Sequence, residues 1–156
     1  MTTDSGKPLF RSAEETDLPR LVEMLAADEL GALREDNSQP LNRLYRSAFS
    51  AIDRDPNNSL IVAERGDSLV GMMQLTFIPY LSHTGSWRCL IEGVRIHVDH
   101  RGAGLGRAMI EWAIEAARKR DCKLVQLTSD KQRSGAIRFY ESLGFIASHE
   151  GFKLKL

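Results

Sequence analysis

The sequence predicts a mixed α/β (α+β) fold in which helices cover both faces of one sheet. Apolar residues recur at three- and four-residue steps in several segments, and short β-rich runs bounded by Gly, Pro and Asn lie between them. Their order is a strand, two helices, a hairpin, and then strand–helix–strand–helix–strand, which is typical of this class. A chain of 156 residues fits one domain. We therefore expect a single domain over 9–156 after a flexible tail over 1–8.

The first half supplies a strand, two helices and a hairpin. A short extended stretch contains Leu9 and Phe10, and Asp17 then begins a helix that runs to about Asp28. A second apolar stripe follows Pro40 and ends at the Asn- and Pro-rich turn over 55–58. The runs 60–63 and 69–78, joined by a Gly-containing turn, predict the hairpin.

The second half alternates strands and helices. Residues 87–98 predict a strand with a bulge at Gly93, and 104–120 carry the clearest apolar stripe of any helix. A strand over 123–128 follows, and Asp130 is the expected cap of a helix that ends at Leu143, before Gly144. Residues 145–156 supply strand material to the end of the chain.

Composition argues against several function classes. Lys plus Arg and Asp plus Glu both number 21, so no net positive charge attracts nucleic acid or anionic lipid. Cys89 and Cys122 have no metal-ligand spacing, and we predict reduced thiols and no metal. Residues 1–8 lack the apolar stretch of a signal peptide or a membrane span. We therefore expect a cytoplasmic protein that binds neither nucleic acid nor membrane.

The glycine-rich segment 99–106 lies between a predicted strand and a predicted helix. Its three glycines allow close backbone approach to a ligand, and a helix N-terminus presents unpaired N–H groups to an anion. A Walker motif would require Gly-Lys-Ser/Thr, whereas Arg107 and Ala108 follow Gly106 here. A dinucleotide fingerprint would place its third glycine one position later. The segment predicts a phosphate cradle, and a glycine turn without a ligand is the alternative.

These residues resemble the acetyl-CoA signature of the GNAT (Gcn5-related) N-acetyltransferases, Arg/Gln-x-x-Gly-x-Gly/Ala. Arg101, Gly104 and Gly106 match it. The helix that follows, the strand over 124–127 and the segment 136–145 are also similar to the C-terminal half of that family. The N-terminal half agrees only in its order of elements.

The resemblance implies a mostly antiparallel sheet of six to seven strands and acetyl-CoA as the cofactor. It also implies that the strand ending near Val98 splays from its neighbour, so that pantetheine lies in the gap and the following amides hold the pyrophosphate. The cofactor-binding residues implied in this way are Ile96, His97, Val98, Arg101, Gly102, Ala103, Gly104, Leu105, Gly106, Arg107 and Arg133.

The chain departs from the family pattern at two positions. Val98 replaces a proline that commonly precedes the signature arginine by three residues. Arg133 replaces the asparagine that usually hydrogen-bonds pantetheine. An arginine there would instead donate to a carbonyl or an acidic acceptor.

Attack of an amine on a thioester needs a route for the amine proton and an acid near the departing thiolate. Tyr140 occupies the position of the family's general-acid tyrosine, and its alternative role is packing. Glu92 lies at a position from which family members relay the amine proton through water. The alternative is that its carboxylate is only solvated. His97 and His100 are further candidates, more typical of loop histidines.

The acceptor is a primary amine of a small molecule, attacked directly in a ternary complex, if the resemblance holds. Residues 26–39 would border its site, and they carry an acidic rim of Asp28, Glu29, Glu35 and Asp36 against Arg34. Such a rim suits a cationic amine, although loop charges are often only solvated. A homodimer is expected from the family. The alternative function is a non-catalytic acyl-CoA-binding sensor or regulatory module.

Overall fold

The computed structural model describes residues 6–156. Five strands and five regular helices lie in this range, together with a short helical turn at Ser82–Gly85 in which His83 and Thr84 have left-handed backbone angles. The strands are β1 (Leu9–Ser12), β2 (Asn58–Arg65), β3 (Ser68–Pro79), β4 (Trp87–Ile96) and β5 (Leu124–Leu127). The helices are α1 (Leu18–Ala26), α2 (Glu29–Ala32), α3 (Arg43–Arg54), α4 (Leu105–Lys119) and α5 (Ala136–Ser142), with 3₁₀ turns at Glu15–Asp17 and Val98–His100. None of the helices within 6–156 is long and apolar enough to cross a membrane.

The strands form one sheet in the order β1-β2-β3-β4-β5. Each pair from β1 to β4 is antiparallel. The β3–β4 register shifts between Met72 and Gln74, opposite the stretch of β4 that contains Gly93, whose φ is +59°. The predicted bulge is therefore confirmed, and it allows the sheet to bend where β4 approaches the glycine turn.

Helices cover both faces of the sheet. Met72 and Met73 are neighbours in β3 with side chains on opposite faces, and both are almost completely buried. Met72 belongs to a core cluster with Leu21 and Met24 of α1. On the opposite face, Met109 of α4 packs against Gly71. The α/β class with helices on both faces is confirmed.

The observed sheet has five strands within the described residues, rather than six to seven. Residues 145–156 contain no strand or helix. The strand material predicted there is therefore not observed, and the apolar side chains of Phe152, Leu154 and Leu156 are exposed. A strand needs a neighbour for its N–H and C=O groups, and a β-rich stretch of sequence alone does not supply one.

Other boundaries also differ from the sequence prediction. The connection between the two predicted N-terminal helices contains the short helix α2. The cap predicted at Asp130 is wrong, because α5 begins only at Ala136 and Asp130 Oδ1 instead accepts the N–H of Gln132 at 2.9 Å. Asn and Asp side chains stabilise such local turns as readily as they cap helices. The predicted stop at Gly144 is confirmed by its φ of +92°.

The chain divides into two compact units, one ending at Gln126 and the other covering Leu127–Leu156. The first contains β1 to β4, α1 to α4 and most of β5. The second contains α5 and the residues that follow it. The flexible tail predicted over 1–8 lies partly outside the described residues, and the single domain over 9–156 stays a prediction.

Candidate active site

The glycine turn connects β4 to α4. His97 N donates to Val70 O at 2.9 Å, and the chain then makes the 3₁₀ turn Val98–His100. Gly102 and Gly104 both have φ of +76°, a left-handed conformation that favours glycine. A Cβ atom built on either glycine would meet nothing within 4 Å. The turn therefore leaves open space beside its backbone.

The N-terminus of α4 lies directly after this turn. Its N-cap residue is Gly104, which has no side chain to accept a hydrogen bond, and its first turn contains no acidic residue. The first amides of a helix have no intrahelical acceptor, and those of this 15-residue helix also lie at the positive end of its dipole. A pyrophosphate group suits such a set of donors. The residues present thus fit the phosphate part of coenzyme A.

Two arginines flank the turn. Arg101 Nε donates to Ile96 O at 3.2 Å, and this bond ties the start of the turn to the end of β4. Arg107 Nη1 lies 3.5 Å from Glu111 Oε1, one helical turn further along α4. Both side chains are exposed, as a group that meets a phosphate from solvent must be. Phosphate binding by Arg107 stays a prediction.

The last residues of β4 lie where the resemblance expects pantetheine. Ile96 pairs with Gly71 of β3 on one edge. The neighbour on the other edge, β5, has only four residues against ten in β4, so it borders only part of that strand. At this edge Lys123 N donates to Trp87 O at 2.9 Å, at the opposite end of β4. Contacts to pantetheine by Ile96, His97 and Val98 stay predictions.

Glu92 is exposed on β4, directly opposite Gln74 of β3 and beside the bulge at Gly93. Its carboxylate is therefore accessible to solvent on this face of the sheet. Further along the same strand, Arg95 Nε lies 3.9 Å from Asp28 Oδ2. The role of Glu92 in proton relay stays a prediction.

The two histidines near the turn contribute to its structure. His97 Nδ1 accepts the N–H of Asp99 at 3.4 Å, and the His97 and His100 rings lie 6.0 Å apart. Among residues 6–156 no group of three or more His, Cys, Asp or Glu side chains is placed to hold a metal ion.

Tyr140 and Arg133 belong to the C-terminal unit. The Tyr140 ring makes edge-on contacts with Phe139 and Phe145, at centroid distances of 5.1 and 5.9 Å. Its main-chain carbonyl accepts the N–H groups of Leu143 and Phe145, which closes α5. Arg133 N donates to Asp130 O at 2.9 Å in the loop before this helix. The roles of Tyr140 as general acid and of Arg133 at the cofactor stay predictions.

The acidic rim over residues 26–39 is largely engaged in local structure. Asp28 Oδ1 accepts the N–H of Gly31 at 2.6 Å and caps α2. Glu35 Oε2 accepts the hydroxyl of Tyr45 at 2.9 Å. Hydrogen bonds from Ser38 and Asn42 to the Asp36 carboxylate lower its pKa. These bonds explain why the segment carries acidic residues without requiring a cationic ligand.

Sequence reasoning missed one group of polar residues near Glu92. Gln74 and Thr76 of β3 share a face with Glu92, and Asn58 of β2 lies opposite Thr76. The signal that could have found them is the appearance of polar residues at alternate positions in an otherwise apolar strand.

The sequence model of the acetyltransferase (GNAT) family matches residues 20–145, a range that includes the glycine turn and all five helices except the start of α1. The chain belongs to this family. GNAT acetyltransferases use acetyl-CoA, as the resemblance implied. Membership accounts for the combination of an antiparallel sheet with a glycine turn late in the chain.

Named relatives agree with the family. The chain is 35% identical over 149 residues to a glucosamine 6-phosphate N-acetyltransferase of Trypanosoma brucei brucei, covering 94% of this chain and 95% of the relative. It is 32% identical over 108 residues to an aminoalkylphosphonate N-acetyltransferase of Salmonella typhimurium, covering 69% of this chain and 70% of that one. The prediction of an N-acetyltransferase is confirmed by the family and by these names.

One solved structure has a different description. A protein of Bacillus halodurans C-125, described as a transcriptional regulator, is 53% identical, with a TM-score of 0.94 over 96% of this chain and 100% of that one. The two proteins are therefore similar in sequence and fold over nearly their whole lengths.

Proposed function

We propose that this protein transfers the acetyl group of acetyl-CoA to the primary amine of a small molecule, by direct attack in a ternary complex. One observation carries the proposal, namely the glycine turn that leads into the N-terminus of α4. Its open backbone at Gly102 and Gly104, and a first helical turn without a side-chain cap or an acidic residue, match a pyrophosphate. Family membership supports the same cofactor.

The proposed cofactor contacts follow from the order of residues along the turn. Main-chain groups of Ile96, His97 and Val98 bind pantetheine, and the amides over 101–107 bind the pyrophosphate. Arg107 adds a charge-assisted bond to a phosphate oxygen. Arg133 donates to a pantetheine carbonyl from the loop before α5. Acetyl-CoA, when bound, supplies an acetyl thioester whose thiolate is a good leaving group.

Proton transfer requires a base near the amine and an acid near the departing sulfur. We assign the first role to Glu92, whose carboxylate accepts the amine proton through a water molecule on the exposed face of β4. We assign the second role to the hydroxyl of Tyr140. Both are common residue types for acid–base catalysis, and the amine must be deprotonated before attack.

A small amine is the proposed acceptor. The two relatives described above are named for glucosamine 6-phosphate and for aminoalkylphosphonates, which are both small primary amines. A strongly cationic acceptor such as a polyamine has less support, because the Asp28, Glu35 and Asp36 carboxylates already accept hydrogen bonds from other groups of the protein.

We also propose that the protein is a cytoplasmic homodimer. Cys89 and Cys122 are free thiols, as expected for a reducing compartment. Phe152 and Leu154 expose 94% and 86% of their surface, and association of two copies would remove this apolar surface from water. Light scattering during gel filtration gives the mass directly, and a monomer at micromolar concentration would contradict the dimer.

Calorimetric titration with acetyl-CoA and coenzyme A, followed by thiol release with a panel of amines, tests the proposal. We expect micromolar binding and thiol release that depends on the amine. Absence of binding would contradict the assignment of the glycine turn.

A second candidate function is acyl-CoA sensing, and the regulator from Bacillus halodurans is the observation that favours it. A sensor would bind acetyl-CoA through the same turn but would not need Glu92 or Tyr140. Binding without thiol release from any amine would support this candidate over the enzyme.

A further inference from the structure

One face of the sheet changes from apolar to polar partway along β3. Alternate residues of a strand share a face. Val70 and Met72 are 0% and 4% exposed on this face, and Met72 packs in the cluster with α1. The next two residues on the face, Gln74 and Thr76, are polar and half-buried. The helices thus bury one half of this face and leave the other half accessible.

The polar side chains in the accessible half form one hydrogen-bonded group. Gln74 Nε2 donates to Asn58 Oδ1 at 3.0 Å, and Thr76 Oγ1 donates to the same oxygen at 2.9 Å. Asn58 Nδ2 in turn donates to Asp55 Oδ2 at 2.8 Å. We call Asn58, Gln74 and Thr76 the polar strip. These bonds fix the orientation of its side chains before any ligand binds.

The bonds within the polar strip determine which groups it offers to a ligand. Thr76 donates its hydroxyl proton to Asn58, so its remaining lone pairs accept. Gln74 uses one N–H toward Asn58, and its Oε1 atom is a further acceptor. Neutral acceptors of this kind match the hydroxyl groups of a ligand better than a carboxylate or a phosphate.

The polar strip lies beside the proposed base. Gln74 and Glu92 are directly opposite each other across the β3–β4 ladder, where Cα atoms are about 4.5–5.5 Å apart. A small molecule with its amine at Glu92 can therefore place its other atoms over Gln74 and Thr76. The position makes these two residues suitable for selecting the acceptor.

We infer that the polar strip recognises hydroxyl groups of the acceptor, which is a hydroxylated amine of the amino-sugar class. The inference rests on the proposed N-acetyltransferase function, since it assigns the specificity of the same site. Hydroxyls on the carbons next to the amine donate to Gln74 Oε1 and to Thr76 Oγ1. An amine without hydroxyls leaves both acceptors without these bonds.

The test compares glucosamine with cyclohexylamine, two primary amines on six-membered rings that differ in hydroxyl groups. The variants Gln74→Leu and Thr76→Val remove the accepting atoms with little change in volume. We expect each to lower the ratio of kcat/KM for glucosamine to that for cyclohexylamine by about tenfold, the equivalent of one hydrogen bond. The Kd for acetyl-CoA should not change. Ser59→Ala, one residue along β2 from the polar strip, is the control and should leave the ratio unchanged.

Each result has a distinct meaning. Wild-type protein that releases thiol with no amine of the panel overturns the proposed function, and the inference with it. Thiol release with other amines but with neither glucosamine nor cyclohexylamine overturns the inference alone. Wild-type protein that acetylates amines but prefers cyclohexylamine, or variants that lower both activities equally, overturn the inference alone. Circular dichroism melts of the variants identify any loss that comes from unfolding.

Discussion

Gly71 of β3 lies against Met109 of α4, and a Cβ atom placed on this glycine would be 2.8 Å from Met109 Sδ and 3.2 Å from Arg95 O. The contact joins the sheet to the helix whose N-terminus faces the glycine turn. A side chain at position 71 would displace the Met109 thioether or distort β4 at Arg95 O. The close approach therefore helps to fix the position of the candidate phosphate site.

The Gly71→Ala variant tests this packing. Overpacking of a dense core costs about 1–3 kcal/mol, so we expect the free energy of unfolding to fall by that amount in urea titrations. Gly151→Ala is the matched control, because a Cβ there would meet nothing within 4 Å. Equal stability of the Gly71→Ala variant and the wild type would show that Met109 moves aside at no cost.

Gly104→Ala tests the phosphate cradle. A Cβ at φ of +76° costs about 1–2 kcal/mol and occupies the open space beside the turn amides. We expect the acetyl-CoA affinity, measured by calorimetry, to fall at least about tenfold. Gly85→Ala is the control, since Gly85 also has positive φ (+67°) and open space but lies in the β3–β4 connection. Similar affinities for the two variants would contradict the cradle.

The Tyr140→Phe variant tests the general acid. It removes only the hydroxyl and keeps the ring contacts with Phe139 and Phe145. General acid catalysis contributes about 10²–10⁴-fold, and the lower part of that range applies here because the thiolate leaves easily. We expect kcat to fall about 100-fold with an unchanged Kd for acetyl-CoA. Tyr80→Phe is the control, and unchanged turnover of the Tyr140 variant would exclude the acid role.

An ion-pair cluster links β1 to the start of α1. Protonation of its carboxylates should lower the free energy of unfolding in acid. Arg11 Nη1 donates to Asp17 Oδ2, and Arg11 Nη2 donates to Glu64 Oε1, both at 2.7 Å. The Arg11 bond is the main cause of a lowered Asp17 pKa. Because the pKa of Asp17 is lower in the folded protein than in the unfolded chain, ionisation of Asp17 stabilises the fold. This stabilisation is complete above the pKa of an unfolded Asp, about 3.9, and is lost as the pH falls through the pKa of folded Asp17.

The Arg11→Met variant tests this linkage. We expect it to unfold more easily than the wild type by about 1–2 kcal/mol at pH 7. The difference should begin to shrink below about pH 4, where Asp17 of the unfolded chain takes up its proton, and it should be lost as the pH falls through the lower pKa of Asp17 in the folded wild type. Urea titrations between pH 2 and pH 7 measure it. A constant difference across that range would mean that Arg11 acts through packing alone.

The two cysteines should differ in reactivity. Burial raises the pKa of the Cys89 thiol to about 12, and burial also raises the pKa of Cys122, which is only half-buried. The thiolate is the reactive form, so at pH 8 we expect iodoacetamide to label Cys122 slowly and to leave Cys89 unlabelled. Mass spectrometry of native and urea-unfolded samples gives the comparison. Rapid labelling of native Cys89 would contradict its burial.

The sequence by itself determined the features that depend on short stretches of chain. The three glycines at the start of α4, the apolar stripe of that helix and the stop at Gly144 are local patterns, and the structure has each of them as predicted. The glycine turn also carried the family assignment. Local patterns succeed here because backbone conformation and helix ends are set mainly by neighbouring residues.

Only the tertiary structure decided which distant residues share a surface. The register of β2, β3 and β4 placed Asn58 beside Thr76 and Gln74 opposite Glu92, and a slip of one residue would turn these side chains to the other face. Strand formation depends on a neighbouring strand in the same way, which explains why residues 145–156 are predicted as a strand but form none. Hydrogen bonds between strands join residues far apart in the chain, so no local pattern specifies them.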